Sequence, residues 1–369
     1  MNILTEGLAA DLKTRLSDEK IDAAFALLPP ARRRETADIP AEAVRVAALQ
    51  VQLVPYGSLA LYLRDMDRYI GGAARRGARL VCLPELAGLL PALLSPAAHL
   101  ALAAIGLGSR AASPSANAAP APALPGAAGL LAPFAFLEPC YRGIMARFAR
   151  RHGVYLSCGS CLVPEGGRVY NRHVLLSPAG ETLAVQDKMH LVEEEAGFGL
   201  SAGNSLSVAQ TPIGNIALTV CMDASYFETF KIAKAQGADY ALVPIANLEP
   251  YNHYLALRGA QMRVSETCLP AVKAALVAKQ DFPLGFTGRA GVYFPVESGL
   301  PCKEMPSHTR PGMVLANIDL PALRAARPRL FGRPNPAFNR QYVQTLQSAP
   351  SRTACRENEN TEKSKRSMT

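Results

Sequence analysis

"VRVAALQVQLVP" (residues 44–55), "LALYLRDMDRYIGGAARRG" (59–77) and "ARLVCLPE" (78–85) follow one another as an apolar strand, a helix and a second apolar strand. The middle segment repeats its apolar residues at helical spacing, and the flanking runs are too short and too β-branched for helices. This is a β-α-β unit, and it predicts an α/β fold. The same grammar recurs further on. "CYRGIMARFARRHG" (140–153) reads as an amphipathic helix with a glycine stop, and "VYLSCGSCL" (154–162) as a strand. "RVYNRHVLLSPAGETLAVQDK" (168–188) reads as a hairpin around the turn "SPAGE". Past the arm "TPIGNIALTVCMD" (211–223), helix and strand alternate again as "YFETFKIAKAQGA", "DYALVPIAN", "YLALRGAQMRVSETC" and "LPAVKAALV", with further strands in "GRAGVYFPVESGLP" and "GMVLANIDL".

Outward from this body the text changes. Residues 1–43 form a polar, partly helical leader broken by Pro29, Pro30 and Pro40, read as an appendage. Residues 44–322 are the body, and within it about 95–135 are an Ala/Pro-rich insertion whose single Lys or Arg is Arg110. Across the wider stretch between Glu85 and Glu138, Pro91, Pro96, Pro120, Pro122 and Pro125 break the apolar run, so no membrane span is expected there. Residues 323–369 are a C-terminal extension, with a polar, aperiodic tail from about Ser348 expected to be disordered.

Composition excludes several classes. The 369 residues are 49% apolar, enough for a large core. The formal charge of +9 owes much to Arg32, Arg33, Arg34 and the tail, with no basic stripe interleaved with aromatics, so no nucleic-acid partner is expected. Eight dispersed cysteines and a charged N-terminal segment point to reduced thiols and a cytoplasmic protein. Cys158 and Cys161 form a C-x2-C inside a strand, two ligands where zinc takes four, and are read as structural.

Three residues carry chemistry, each just after an apolar strand: Glu85 in "ARLVCLPELAG", Lys188 in "AVQDKMHL" and Cys221 in "NIALTVCMDASYFE". A cysteine between strand end and helix start gains from the positive field there, which predicts a thiolate-favouring position. A carboxylate can take the thiol proton and return it to a departing amine. A lysine can stabilise an oxyanion together with a backbone N–H such as that of Met222. This chemistry requires no metal or organic cofactor.

Together, "LVCLPELAG", "AVQDKMHL" and "TVCMDASYFE" resemble the three signature blocks of the nitrilase, or carbon-nitrogen hydrolase, superfamily, over roughly residues 44–320. The resemblance implies a four-layer α-β-β-α sandwich, commonly paired into a homodimer or higher homo-oligomer, acting on a small-molecule amide or nitrile. It gives Glu85 the role of general base, Lys188 that of oxyanion stabiliser and Cys221 that of nucleophile, with structural roles for Asp223 and Glu228. A second glutamate after the lysine falls among Glu193, Glu194 and Glu195, with Glu195 favoured. Asn247, Glu249, Tyr251 and His253 are pocket candidates beside Met222. Ser225 stands where many members carry an arginine, which predicts a more neutral site, and Arg289 replaces a small residue in the late block. Amidase-type hydrolysis is the leading expectation; nitrile hydrolysis, acyl transfer through the same thioester and a non-catalytic protein retaining the fold stay open.

Overall fold

The computed structural model describes residues 3–31, 35–36, 38–99, 137–279, 285–330 and 335–348. The expected insertion from residue 100 onward, and the tail after Ser348, lie outside the described residues. β1 (Ala43–Leu53) runs parallel to its neighbours β2 (Leu80–Cys82) and β9 (Ala271–Ala278). A parallel pair needs a crossover, and α3 (Leu59–Arg75) supplies it between β1 and β2. Ser58 caps that helix on Leu61 N–H, and Tyr62, Leu63, Met66, Ile70 and Ala73 form its buried stripe.

From β2 the sheet continues through β3 (Tyr155–Glu165), β4 (Arg168–Leu176) and β5 (Thr182–Asp187), the last two antiparallel. From β9 it continues in the other direction through β8 (Tyr240–Ile245), β7 (Gly214–Leu218) and β6 (Val208–Thr211). β10 (Gly291–Tyr293) adds to β9, β11 (Lys303–Glu304) to β10, and β12 (Gly312–Asp319) to β1. Strand alternation sorts the side chains into two cores. Ala47, Leu49, Val51 and Leu53 of β1 meet α3 and the helix Glu138–His152 on one face. Val44, Val46 and Ala48, with Leu80, Cys82 and Leu175, pack on Ala217, Leu242 and Val272 from the other half. Phe230 and Val264, from the helices Phe227–Ala235 and Gln261–Thr267, join that second core. The layers are therefore α-β-β-α, as the resemblance implies.

The N-terminal segment is more deeply built in than its polar text suggests. α1 (Ile3–Arg15) and α2 (Asp18–Ala26) place Leu8, Leu12, Leu16, Ile21 and Ala24 in the first core. Arg147 of the helix Glu138–His152 pairs with Asp18 and Asp22. At the other end, the helix Leu320–Leu330 buries Leu320 and Leu323 and sets Arg324 and Arg327 on Asp239, so the first compact unit reaches Leu330. The described residues beyond it form a separate helix, Pro336–Ser348, started by Asn335 accepting from Phe338 N–H. No helix among the described residues is long and apolar enough to cross a membrane.

Because Leu12 is fully buried, Leu12→Ala is expected to cost about 2–5 kcal/mol of the stability of the whole body. Denaturant unfolding followed by far-UV circular dichroism checks this: one destabilised transition is expected, and an unchanged midpoint would mean that α1 contributes nothing to the core.

Candidate active site

Glu85, Lys188 and Cys221 meet because each follows the C-terminal end of a strand, the edge where open α/β sheets gather ligands. Glu85 lies three residues after β2 in a loop pinned to β3. Ser160 Oγ accepts from Leu86 N–H at 3.0 Å, and Leu86 takes a left-handed φ of 56°. β3 shifts register between Ser157 and Ser160 to admit this loop. Gly159, at φ 63°, is obligatory there, since a Cβ would stand 1.8 Å from the Pro84 carbonyl oxygen.

Lys188 leaves β5 with its N–H on Asn171 O at 2.9 Å and its carbonyl accepting from Gly203 N–H at 2.8 Å. Cys221 opens a 3-10 turn, Cys221–Ser225, at a φ of 44°, a strained position for a residue with a side chain. Asp223, fully buried, holds that turn and the lysine loop together. Its Oδ2 accepts from Val220 N–H at 2.9 Å; its Oδ1 accepts from Met189 N–H at 3.0 Å and His190 N–H at 2.8 Å, with His190 Nδ1 also at 3.0 Å. The His190 ring stacks on Tyr226 at 3.9 Å and stands 3.8 Å from Glu228, so both acidic residues of the block bear on this loop.

The charges interlock. Lys188 Nζ lies 2.8 Å from Glu85 Oε1 and 2.7 Å from Glu195 Oε2. Burial works against the ammonium, but the two carboxylates overcome it and hold Lys188 charged well above an ordinary lysine. Asn171 Nδ2 donates to Glu85 Oε1 at 2.9 Å and to Glu195 Oε1 at 3.1 Å, bridging the pair. Glu195 reaches the lysine because its Oε2 also accepts from Val192 N–H at 3.0 Å; Glu193 and Glu194 are exposed. Burial raises the Glu85 carboxyl, opposed by Lys188, and its Oε2 is buried without a hydrogen-bond partner among the described residues.

Cys221 differs from the thiolate-favouring position expected of it. Burial and then the neighbouring Glu85 charge push its thiol well up, outweighing Lys188 and a backbone hydrogen bond from Ala246. These surroundings favour the thiol over the thiolate. The expected positive field is outweighed first by burial and then by the Glu85 carboxylate, which arrives from a strand far away in sequence. Cys82 and Cys161 are likewise raised by burial, to about 12 each, and the C-x2-C lies inside β3.

The cavity in front of Cys221 has a volume of about 70 Å³, and Met222, Ser225, Asn247, Glu249 and Tyr251 line it. Asn247 Oδ1 accepts from Cys221 Sγ at 3.4 Å. His253 is exposed at the start of the helix His253–Arg258 and is not among the lining residues. The neutral character expected from Ser225 is not what surrounds it, because Lys273 from β9 and Arg289 also line the cavity.

Sequence reasoning passed over three residues. Asn171 and His173 occupy alternate, inward positions of β4, where polar residues in a hairpin arm were the available signal. His173 is neutral, with burial drawing it down to about 4. Its Nδ1–H therefore donates to Thr219 O at 2.9 Å, and its Nε2 accepts from Ser157 Oγ at 2.7 Å, tying the Glu85 side of the site to the strand end before Cys221. Lys273, 2% exposed, is the third, and a lone charge in "LPAVKAALV" was its signal.

The family model described as carbon-nitrogen hydrolase matches residues 45–328. A "probable hydrolase" of Bacillus subtilis is 27% identical over 196 residues, covering 51% of this chain and 38% of its own length. A deaminated glutathione amidase of Yersinia enterocolitica is 31% identical over 112 residues, covering 27% and 38% respectively. The chain thus spans about two-fifths of the length of the curated relatives it matches. An amidase of the nitrilase superfamily from Nesterenkonia superposes with a TM-score of 0.55 over 80% of this chain and 98% of its own, at 22% identity, a likeness of fold.

Asp223→Ala leaves the buried Val220 N–H and the part-buried Met189 and His190 N–H groups without this acceptor and is expected to cost about 2 kcal/mol or more, at roughly 1–3 kcal/mol for a buried orphaned group. Thermal unfolding of the full chain measures it; a loss below about 1 kcal/mol would mean that Asp223 does not couple the two loops.

Proposed function

The chain belongs to the carbon-nitrogen hydrolase family, and on that premise we propose that it hydrolyses the carbon-nitrogen bond of a small amide through a thioester on Cys221. The observation that carries this reading is the division of labour on Glu85. Its Oε1 is taken by Lys188 and Asn171, while its buried Oε2 is free to exchange a proton. In the first half-reaction Oε2 takes the thiol proton as the sulfur attacks the amide carbon. The carbonyl π electrons move to oxygen, and the oxyanion is met by Lys188 and the Met222 N–H. Lysine has three N–H donors and the two glutamates occupy two, leaving one for the oxyanion. Collapse expels the amine, which takes its proton from Glu85.

Water then enters, and Glu85 removes its proton as the oxygen attacks the thioester. Collapse releases the carboxylic acid, and the sulfur recovers the proton from Glu85. Glu195 positions Lys188 rather than touching the reacting carbon. A base is required in this scheme because the Cys221 thiol is raised, and a raised Glu85 suits a base working near neutral pH. Relatives named as amidases support an amide over a nitrile.

Ammonia release from a panel of short amides and nitriles is the test, with amides expected to react and Cys221→Ala expected to lower the rate on the order of 10⁴-fold or more. Activity retained in that variant would end the thioester reading. The acid limb of kcat/KM should lie above the ordinary glutamate value of 4.5, because the basic form of Glu85 is lost as pH falls through a raised pKa. A limb at or below 4.5 would contradict it.

A further inference from the structure

The cavity in front of Cys221 gathers hydrogen-bond donors that the protein itself leaves unmet. Lys273 is buried on β9, and its Nζ stands 3.9 Å from Glu304 Oε1, beyond hydrogen-bond distance, and 4.6 Å above the Tyr293 ring. Arg289 Nη1 is also 3.9 Å from Glu304, at Oε2, and its guanidinium lies 4.8 Å over the Tyr251 ring. The buried Nε of Arg289 and the buried hydroxyl of Tyr251 find no hydrogen-bond partner among the described residues. Glu304, which both cations approach, is already engaged, since Tyr293 OH donates to its Oε1. Glu249 and Arg258, exposed charges of opposite sign, line the same cavity.

Each buried donor left without an acceptor costs on the order of 1–3 kcal/mol. Here Lys273, Arg289 and Tyr251 all line the space that also holds the nucleophile. We propose that this cavity takes an amide that also carries a carboxylate, received by Lys273, Arg289 and Tyr251 while the amide carbon faces Cys221. A carboxylate fits better than a neutral carbonyl, which would satisfy hydrogen bonds but leave the charge. Lys273 and Arg289 share Glu304 at 3.9 Å each, two cations to one carboxylate, and a carboxylate on the ligand supplies the second anion. A cavity of about 70 Å³ favours a short chain between the two ends. Burial draws Lys273 down to about 8 against the pull of Glu304, and a second anion would hold it charged. The anion site thus lies on β9 and the late loop, away from the position after the nucleophile where Ser225 stands.

This inference rests on the hydrolase reading for the role of Cys221, and a binding experiment separates the two. Full-length Cys221→Ala is titrated calorimetrically with the monoamides of the three- to six-carbon dicarboxylic acids and with the neutral amides of matching length. At least one monoamide acid is expected to bind roughly 10- to 100-fold more tightly than its neutral counterpart, the range of a charge-assisted contact. Adding Lys273→Met is expected to reduce that ratio at least about tenfold, and Arg289→Gln, made in the same background, keeps the test open should the buried lysine variant fail to fold. Equal binding of acid and neutral amides at every length, or ratios unmoved in both variants, would overturn the anion site. Failure of wild-type protein to form an acyl adduct from any amide would instead overturn the hydrolase reading and leave the binding result standing.

Discussion

Lys188 carries its charge to a place where it is only 2% exposed, and the arrangement around it answers the cost of that burial. A buried ammonium without partners would shed its proton or unfold its surroundings; with two carboxylates at 2.8 and 2.7 Å it stays charged. The same contacts position both partners. Glu85 Oε1 is drawn to the lysine, which leaves Oε2 as its free oxygen, and Asn171 ties Glu85 and Glu195 together so that neither can swing away. Loss of any member would leave a buried charge or donor unmatched.

That cluster exists only because three strand ends and one hairpin arrive at the same edge. The bulge of β3 at Ser157–Ser160 makes room for the Glu85 loop, and Asp223 fastens the turn of Cys221 to the loop that follows Lys188. Leu86 and Cys221, on the two sides of the site, both take the left-handed backbone region, held there by these contacts. The neutral His173 relay from Ser157 to Thr219 links the two sides beneath the site.

How far this was legible varies with the physics. Glu85, Lys188 and Cys221 could be read because each follows a strand visible in one dimension, although the strand before Lys188 is largely exposed and not buried as its text suggests. The acidic run at 193–195 could not be resolved that way, since only the three-dimensional reach of Glu195 to Val192 N–H and Lys188 distinguishes it. The raised thiol of Cys221 reverses the local expectation for the same reason, its dominant neighbour being 136 residues away (221 − 85). Leu8, Leu12 and Leu16 repeat at four-residue spacing, a helical stripe that the charged residues between them obscured. Lys273 lies in a strand that carries no motif, and Arg289 departs from the late block without its text saying what it faces, so the charge of the cavity had to come from the fold.

The central claim is that Cys221 forms a covalent acyl intermediate under the control of Glu85. Intact-mass spectrometry of the protein, quenched in acid within the first turnover on a short amide and followed by peptide mapping, tests this directly. One added acyl group per chain is expected, located on the peptide containing Cys221, absent in Cys221→Ala and formed far more slowly in Glu85→Gln. Turnover with no adduct at Cys221, or an adduct formed at an undiminished rate without the Glu85 carboxylate, would contradict it.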